Sequence, residues 1–120
     1  MNKYEKDKSL EHTVVYILLK NKDFSDSVVG EIIYIADIYN LLMYNRVITS
    51  KEFMYQNSYE LSENVVRKMM HKKNQLLVKY KKTEELTYLS DSDKQSLDFA
   101  IERYEADFCI LPDRISKKGF

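Results

Sequence analysis

Chain breakers and sulfur are scarce in this sequence. Cys109 is the only cysteine among 120 residues, Pro112 the only proline, and Gly30 and Gly119 the only glycines. A single cysteine excludes an internal disulfide framework, and with only His12 and His71 beside it no metal-ligand spacing can be assembled. The chain suits a reducing compartment. Glycine-rich phosphate loops and proline-rich linkers are both absent, which leaves helix as the default expectation. Net charge is missing too, since 19 Lys and Arg balance 19 Asp and Glu. A nucleic-acid-binding domain normally carries excess positive charge, so the overall balance speaks against nucleic acid as a partner. The lead "MNKYEKDKSLEH" has no apolar core of the kind a signal peptide needs, and the longest apolar run, "VVYILL", is too short to span a bilayer. These absences predict a cytoplasmic protein with no membrane partner.

What is present is enough apolar material for one core, 44% of residues being hydrophobic and 12% aromatic. No repeat, low-complexity tract or composition shift marks a boundary, so residues 1–120 read as one domain. The patterning predicts a mainly α fold with a minor β component, a compact single-domain bundle of about four helices with a few short strands. The first helix is expected over about 9–21, with Val14, Val15, Leu18 and Leu19 at helical spacing. The break "KDFSDS" offers Ser25 or Ser27 as N-cap for a second helix over about 27–45. Its main stripe, Val28, Ile32, Ile35, Ala36, Tyr39, Leu42 and Met43, is expected to face the core. Ile33, Tyr34, Ile38 and Leu41 make the other side apolar as well, so the helix should be central or lie at an interface. "KEFMYQ" suggests a short strand at Phe53 and Tyr55. "YELSENVVRKMMHKK" predicts a third helix with Leu61, Val65, Val66, Met69 and Met70 inward. A small hairpin or irregular link is expected around 75–89. Ser90 and Asp93 have capping-box spacing ahead of a fourth helix over about 91–107, with Leu97, Ala100, Ile101, Tyr104 and Phe108 on one side. The tail after Cys109 is expected to be extended.

No catalytic residues emerge. A hydrolase triad needs a nucleophile, a base and an orienting acid in contact, and the only bases of suitable pKa are His12 and His71. Neither has motif context, and both are read as exposed polar residues. Cys109, between Phe108 and Ile110, is read as a small apolar residue under the core. The neighbours Glu84 and Glu85 have no spacing that suits paired-carboxylate chemistry. No cofactor or metal is expected. Arg67 to Lys82 holds seven basic residues and no acidic ones, a stretch that could meet phosphate but reads more simply as charge on a solvated face. Asp37 needs an explanation, because an ionised carboxylate among isoleucines and tyrosines must find a cation or hydrogen-bond donors, or else lie at the surface. It is read as a structural buried charge.

The string "VVGEIIYIADIYNLLMYNRVIT" resembles the opening of the Panacea domain, the SocA-like antitoxin family. There a helix of the form leucine-leucine-tyrosine-x-alanine-aspartate leads to a loop reading glycine-arginine-proline-isoleucine-threonine. Ile32, Ile33, Tyr34, Ala36 and Asp37 match the helix, and Arg46, Ile48 and Thr49 match the loop. "LSDSDKQSLDFAIERY" is similar to the family's closing helix, with Leu89, Ser90, Leu97 and Tyr104 in step. The family usually has glycine where Asn45 stands and proline where Val47 stands, and "NSYELSENV" lacks its glycine-proline-valine turn. The resemblance implies a mostly helical domain with a few short strands. It also implies an activity of binding, the neutralisation of a toxin by direct contact or by presenting it for proteolysis, without cofactor or catalytic residues.

The partner is therefore expected to be a protein, a toxin or a defence effector, with Tyr44, Arg46, Tyr59, Arg67 and Lys68 as candidate contact residues. Two alternatives accompany this reading, a phage or mobile-element inhibitor of a host defence protein and a nucleic-acid-binding regulator using Arg67 to Lys82.

Overall fold

A computed structural model describes residues 2–49 and 59–106, with side chains described for 2–49 and 65–106. The expected strand at Phe53 and Tyr55, the side chains of Tyr59 and Leu61, and Phe108, Cys109 and the tail lie outside the described residues.

Among those residues there are five α-helices and no strand: α1 (Lys3–Lys20), α2 (Asp26–Tyr44), α3 (Tyr59–His71), α4 (Lys73–Lys79) and α5 (Asp91–Tyr104), with one 3-10 turn at Thr83–Glu85. The mainly α single-domain expectation holds. Helix α1 begins six residues earlier than its apolar stripe suggested. Asn2 caps it, its side-chain oxygen accepting the Glu5 N–H at 2.9 Å, and Glu5 favours the positive end of the helix dipole. The charged lead is helical because capping and charge suffice where burial is slight. Ser25 caps α2, its hydroxyl accepting the Val28 N–H. Asn45 ends α2 in the left-handed conformation, φ 59° and ψ 31°, and donates its N–H to the Leu41 carbonyl. Asparagine tolerates that region better than most residues with a side chain. Ser90 and Asp93 form the expected capping box on α5.

The link at 75–89 is not a hairpin. Lys73–Lys79 is helical and Thr83–Glu85 a 3-10 turn. Leu76 and Tyr80, four residues apart, are both buried in the core, and α4 packs on α1. Burial of that pair outweighs the β preference of Val78 and Thr83, which is a weak term.

Helix α2 packs most extensively on α5 and then on α3, while α1 touches all four other helices. The core joins Val14, Val15, Ile17 and Leu18 of α1 to Val29, Ile32, Ile33 and Ala36 of α2, with Val66, Leu86, Leu97 and Ala100 closing it. The inward face of α2 keeps Ile32 and Ala36 of the expected stripe, with Val28 and Ile35 partly buried, but is turned away from Leu42 and Met43. Val29, Ile32, Ile33, Ala36, Asp37 and Asn40 are buried, whereas Leu42 is 79% and Met43 59% exposed. The side that carries the polar residues faces the core.

Candidate functional site

The reason begins with Asp37, which is 1% exposed. Residues 45–49 turn back from the end of α2 so that the loop's own N–H groups point at the carboxylate. Oδ1 accepts the N–H of Ile48 at 2.8 Å and of Thr49 at 3.2 Å, and Oδ2 accepts the Thr49 hydroxyl at 2.7 Å. No arginine or lysine is needed. Burial, the strongest influence, pushes the Asp37 pKa above the ordinary carboxylate value. The three donors pull it down, and the nearby Asp93 charge adds to the rise. The loop is anchored from the other side by the Ser9 hydroxyl of α1, which donates to the Ile48 carbonyl at 2.8 Å.

Asn40, one turn further along α2, extends this seam to α5. Its Nδ2 donates to the Arg46 carbonyl at 2.7 Å, and its Oδ1 accepts the Ser96 hydroxyl at 2.8 Å. Arg46 then crosses to the start of α5, where Nη2 donates to Asp93 Oδ1 and to the Ser90 hydroxyl, each at 2.6 Å. Asp93 is 3% exposed and Arg46 47%, so a buried carboxylate is neutralised by a guanidinium that still reaches solvent. Arg46, expected as a partner contact, thus has an internal role. Tyr44 reaches the same helix, its hydroxyl donating to Gln95 Oε1 at 3.0 Å. Arg67 and Lys68 are exposed on α3, a different helix from the Tyr44 and Arg46 pair.

A second polar network was missed at the level of sequence. His12, read as exposed, is buried between Tyr80 and Tyr88. Its Nδ1 accepts the Tyr88 backbone N–H at 3.2 Å, which leaves Nε2 as the protonated nitrogen, donating to the Tyr80 hydroxyl at 3.1 Å. The Tyr80 hydroxyl in turn donates to Glu11 Oε2 at 2.7 Å, and the Lys8 ammonium lies 3.3 Å from that oxygen. Burial lowers the His12 pKa. Burial and the Glu11 carboxylate together push Tyr80 up to about 12. Histidine and acid are joined here, but not as an acid–base pair. The lone pair of His12 is taken by a backbone amide, and a tyrosine with so high a pKa holds its proton at neutral pH. The network ties α1 to α4 and to the residues ahead of α5. His71, by contrast, is exposed as expected. Among the described residues no cluster of His, Cys, Asp or Glu could hold a metal ion.

Both polar networks are internally satisfied, so the unexplained surface is the outer side of α2. Helical spacing puts Tyr34, Ile38, Leu41 and Leu42 opposite the buried stripe. Beside them Tyr39 stacks on Phe99 of α5, with centroids 4.1 Å apart and planes 19° from parallel. Tyr34, Leu42, Met43, Tyr44 and Phe99 are all exposed. By length and hydropathy α2 could cross a bilayer, and a central helix with an apolar outer face has the same composition. Its inward Asp37 and Asn40 are bonded to a loop and to α5 rather than to groups within the helix. No family model, curated protein or solved structure matches the chain.

Proposed function

We propose that this chain is a cytoplasmic protein-binding domain that acts as an antitoxin, covering the working surface of a toxin with the outer face of α2. The observation that carries the reading is exposed apolar surface along α2 and at its end: Tyr34 and Leu42 on the outer side, with Met43 and Tyr44 at the C-terminal end, where Tyr44 meets α5. Apolar surface collected in this way on a small domain is what a protein partner buries.

The antitoxin class rests on the resemblance to the Panacea domain, and the positions that carry it support the reading in a specific way. Asp37 is bonded to Ile48 and Thr49, and Arg46 to Ser90, so five matching residues meet in one seam. Asn45, where the family usually has glycine, takes a left-handed φ of 59°, a conformation that glycine adopts without strain. The seam sets the exit of α2, and the outer face is the part left over for a partner.

The test is affinity capture of tagged chain from its native host, followed by co-expression of the captured protein to ask whether its toxicity is suppressed. Leu42→Glu, at a site 79% exposed, should leave stability within about 0.5 kcal/mol of the parent and abolish capture. A defence effector in place of a toxin would assign the inhibitor role to the same face. Absence of any stoichiometric protein, or retention of the partner by Leu42→Glu, would remove the reading.

A further inference from the structure

Away from the α2 face, α1 and α4 enclose a shallow cleft of about 460 Å³, a volume in the range of small-ligand and side-chain pockets. Leu19 and Leu77, both partly buried, give its apolar floor, with the buried Leu18 and Tyr80 beside them, and Lys20, Lys22 and Lys81 belong to the lining. The cleft lies where α4 packs on α1, near the end of α1 at Lys20 and the end of α4 at Lys79. Its lining includes three lysines and no carboxylate. Lys20 shares its charge with Asp98 at 3.7 Å. Lys22 and Lys81 have exposed side chains and form no ion pair with a described residue, although Glu85, which accepts the backbone N–H groups of Lys81 and Lys82, offsets part of the charge.

We propose that this cleft docks an acidic peptide segment of a protein partner, with one apolar side chain on the leucine floor and carboxylates against Lys22 and Lys81. Charge complementarity sets the sign of the occupant, and the floor sets its class. A single-stranded nucleic acid would satisfy the lysines, but it binds by stacking bases on open aromatic faces. Tyr80 offers no open face, being buried, edge-on to His12 and covered by the Lys79 ammonium 5.1 Å from its centroid. Leucines and a buried ring suit an aliphatic side chain. None of the residues used here belongs to the outer face of α2, so this site stands or falls independently of the antitoxin reading.

The probe is a fluorescein-labelled nonapeptide of glutamates and aspartates with one central leucine, followed by fluorescence anisotropy with the full chain. Saturable binding that weakens with added salt is expected. The paired substitution Lys22→Glu and Lys81→Glu should weaken it by about tenfold or more, with an unchanged circular dichroism melt. Replacing the peptide's leucine by serine should weaken binding to the parent chain, and Leu42→Glu should bind the peptide as the parent does. The proposal is overturned if no saturable binding appears at low salt, if the lysine reversals leave the affinity unchanged, if the serine peptide binds equally well, or if a thymidine oligonucleotide is preferred to the peptide.

Discussion

Asp37 offers the most demanding test of how this fold is held. Its carboxylate accepts three hydrogen bonds from residues 48 and 49, and all the groups involved are buried. Asp37→Ala would strand two backbone N–H groups and a hydroxyl. Each buried group left unsatisfied costs about 1–3 kcal/mol, partly relieved because a hydroxyl can turn to another acceptor and because a buried charge disappears. A net loss of about 3 kcal/mol is expected. Asp37→Asn is the informative companion. Its Oδ1 can still accept both N–H groups, and Thr49 can rotate its hydroxyl to accept from Nδ2, so a cost of only about 1 kcal/mol is expected.

Urea unfolding, followed by circular dichroism, measures both losses as shifts in midpoint at constant slope. The pH dependence separates charge from hydrogen bonding. The folded pKa of Asp37 lies above the unfolded value of 3.8, so this titration favours the fold fully below pH 3.8, and the contribution is lost as pH rises through the folded pKa. Asn cannot titrate. The parent's advantage over Asp37→Asn should therefore be greatest in acid and shrink toward neutral pH. An Ala variant within about 0.5 kcal/mol of the parent, or an Asn variant as damaging as Ala, would refute the reasoning.

Arg46→Ala leaves the buried Asp93 without its cation. Because the guanidinium is half exposed, the loss is expected to be about 1–2 kcal/mol rather than that of a fully buried pair, read from the same urea curves. His12 is held neutral with a pKa below 6.5, so its contribution to stability is complete above pH 6.5 and is lost as pH falls through the folded value. Glu11, whose pKa the Tyr80 hydroxyl and Lys8 lower against the effect of burial, adds an acid-side loss only below 4.5. In Asp37→Asn, which removes the opposing titration of Asp37, the urea midpoint should therefore fall from pH 7.5 to pH 5. Nitrogen NMR of the imidazole should find the proton on Nε2, and a proton on Nδ1 would contradict the network. Asn45→Gly should stabilise by about 0.5 kcal/mol and Asn45→Ala destabilise by about 1 kcal/mol, since the position is left-handed. Equal melting temperatures for the three would show that the helix end relaxes.

The starts of α2 and α5 were legible because they depend on neighbours in sequence, whereas α4, held by the burial of Leu76 and Tyr80, was not. Ser25 and Ser90 cap where a short polar side chain precedes an apolar stripe, and Asp93 completes a box three residues on. The bonds that place side chains were not legible, because their partners are far away in the chain. Asn40 meets Ser96, 56 residues on, and His12 meets Tyr80, 68 residues on. Nothing within a turn of His12 signals that a backbone N–H at Tyr88 will hold its Nδ1. The need of Asp37 for donors was readable from its surroundings, but their source was not. Arg46, the nearest cation in sequence, serves Asp93 instead.

The rotation of α2 away from part of its expected stripe shows what the polar residues contribute. A helix apolar on both sides gains about as much from burying one side as the other, so hydrophobicity alone does not fix its rotation. Turning the Leu42 side inward would separate Asp37 from Ile48 and Thr49, and Asn40 from Ser96, and would have to satisfy a carboxylate and an amide somewhere else. Burying those groups unsatisfied costs several kcal/mol, more than the exchange of one aliphatic side chain for another on the buried face. The seam from Asp37 through Arg46 to Asp93 thus decides which apolar side is core. It also explains how Tyr34, Leu42 and Met43 remain at the surface without the helix rolling to hide them, which is the condition a permanently apolar binding face must meet.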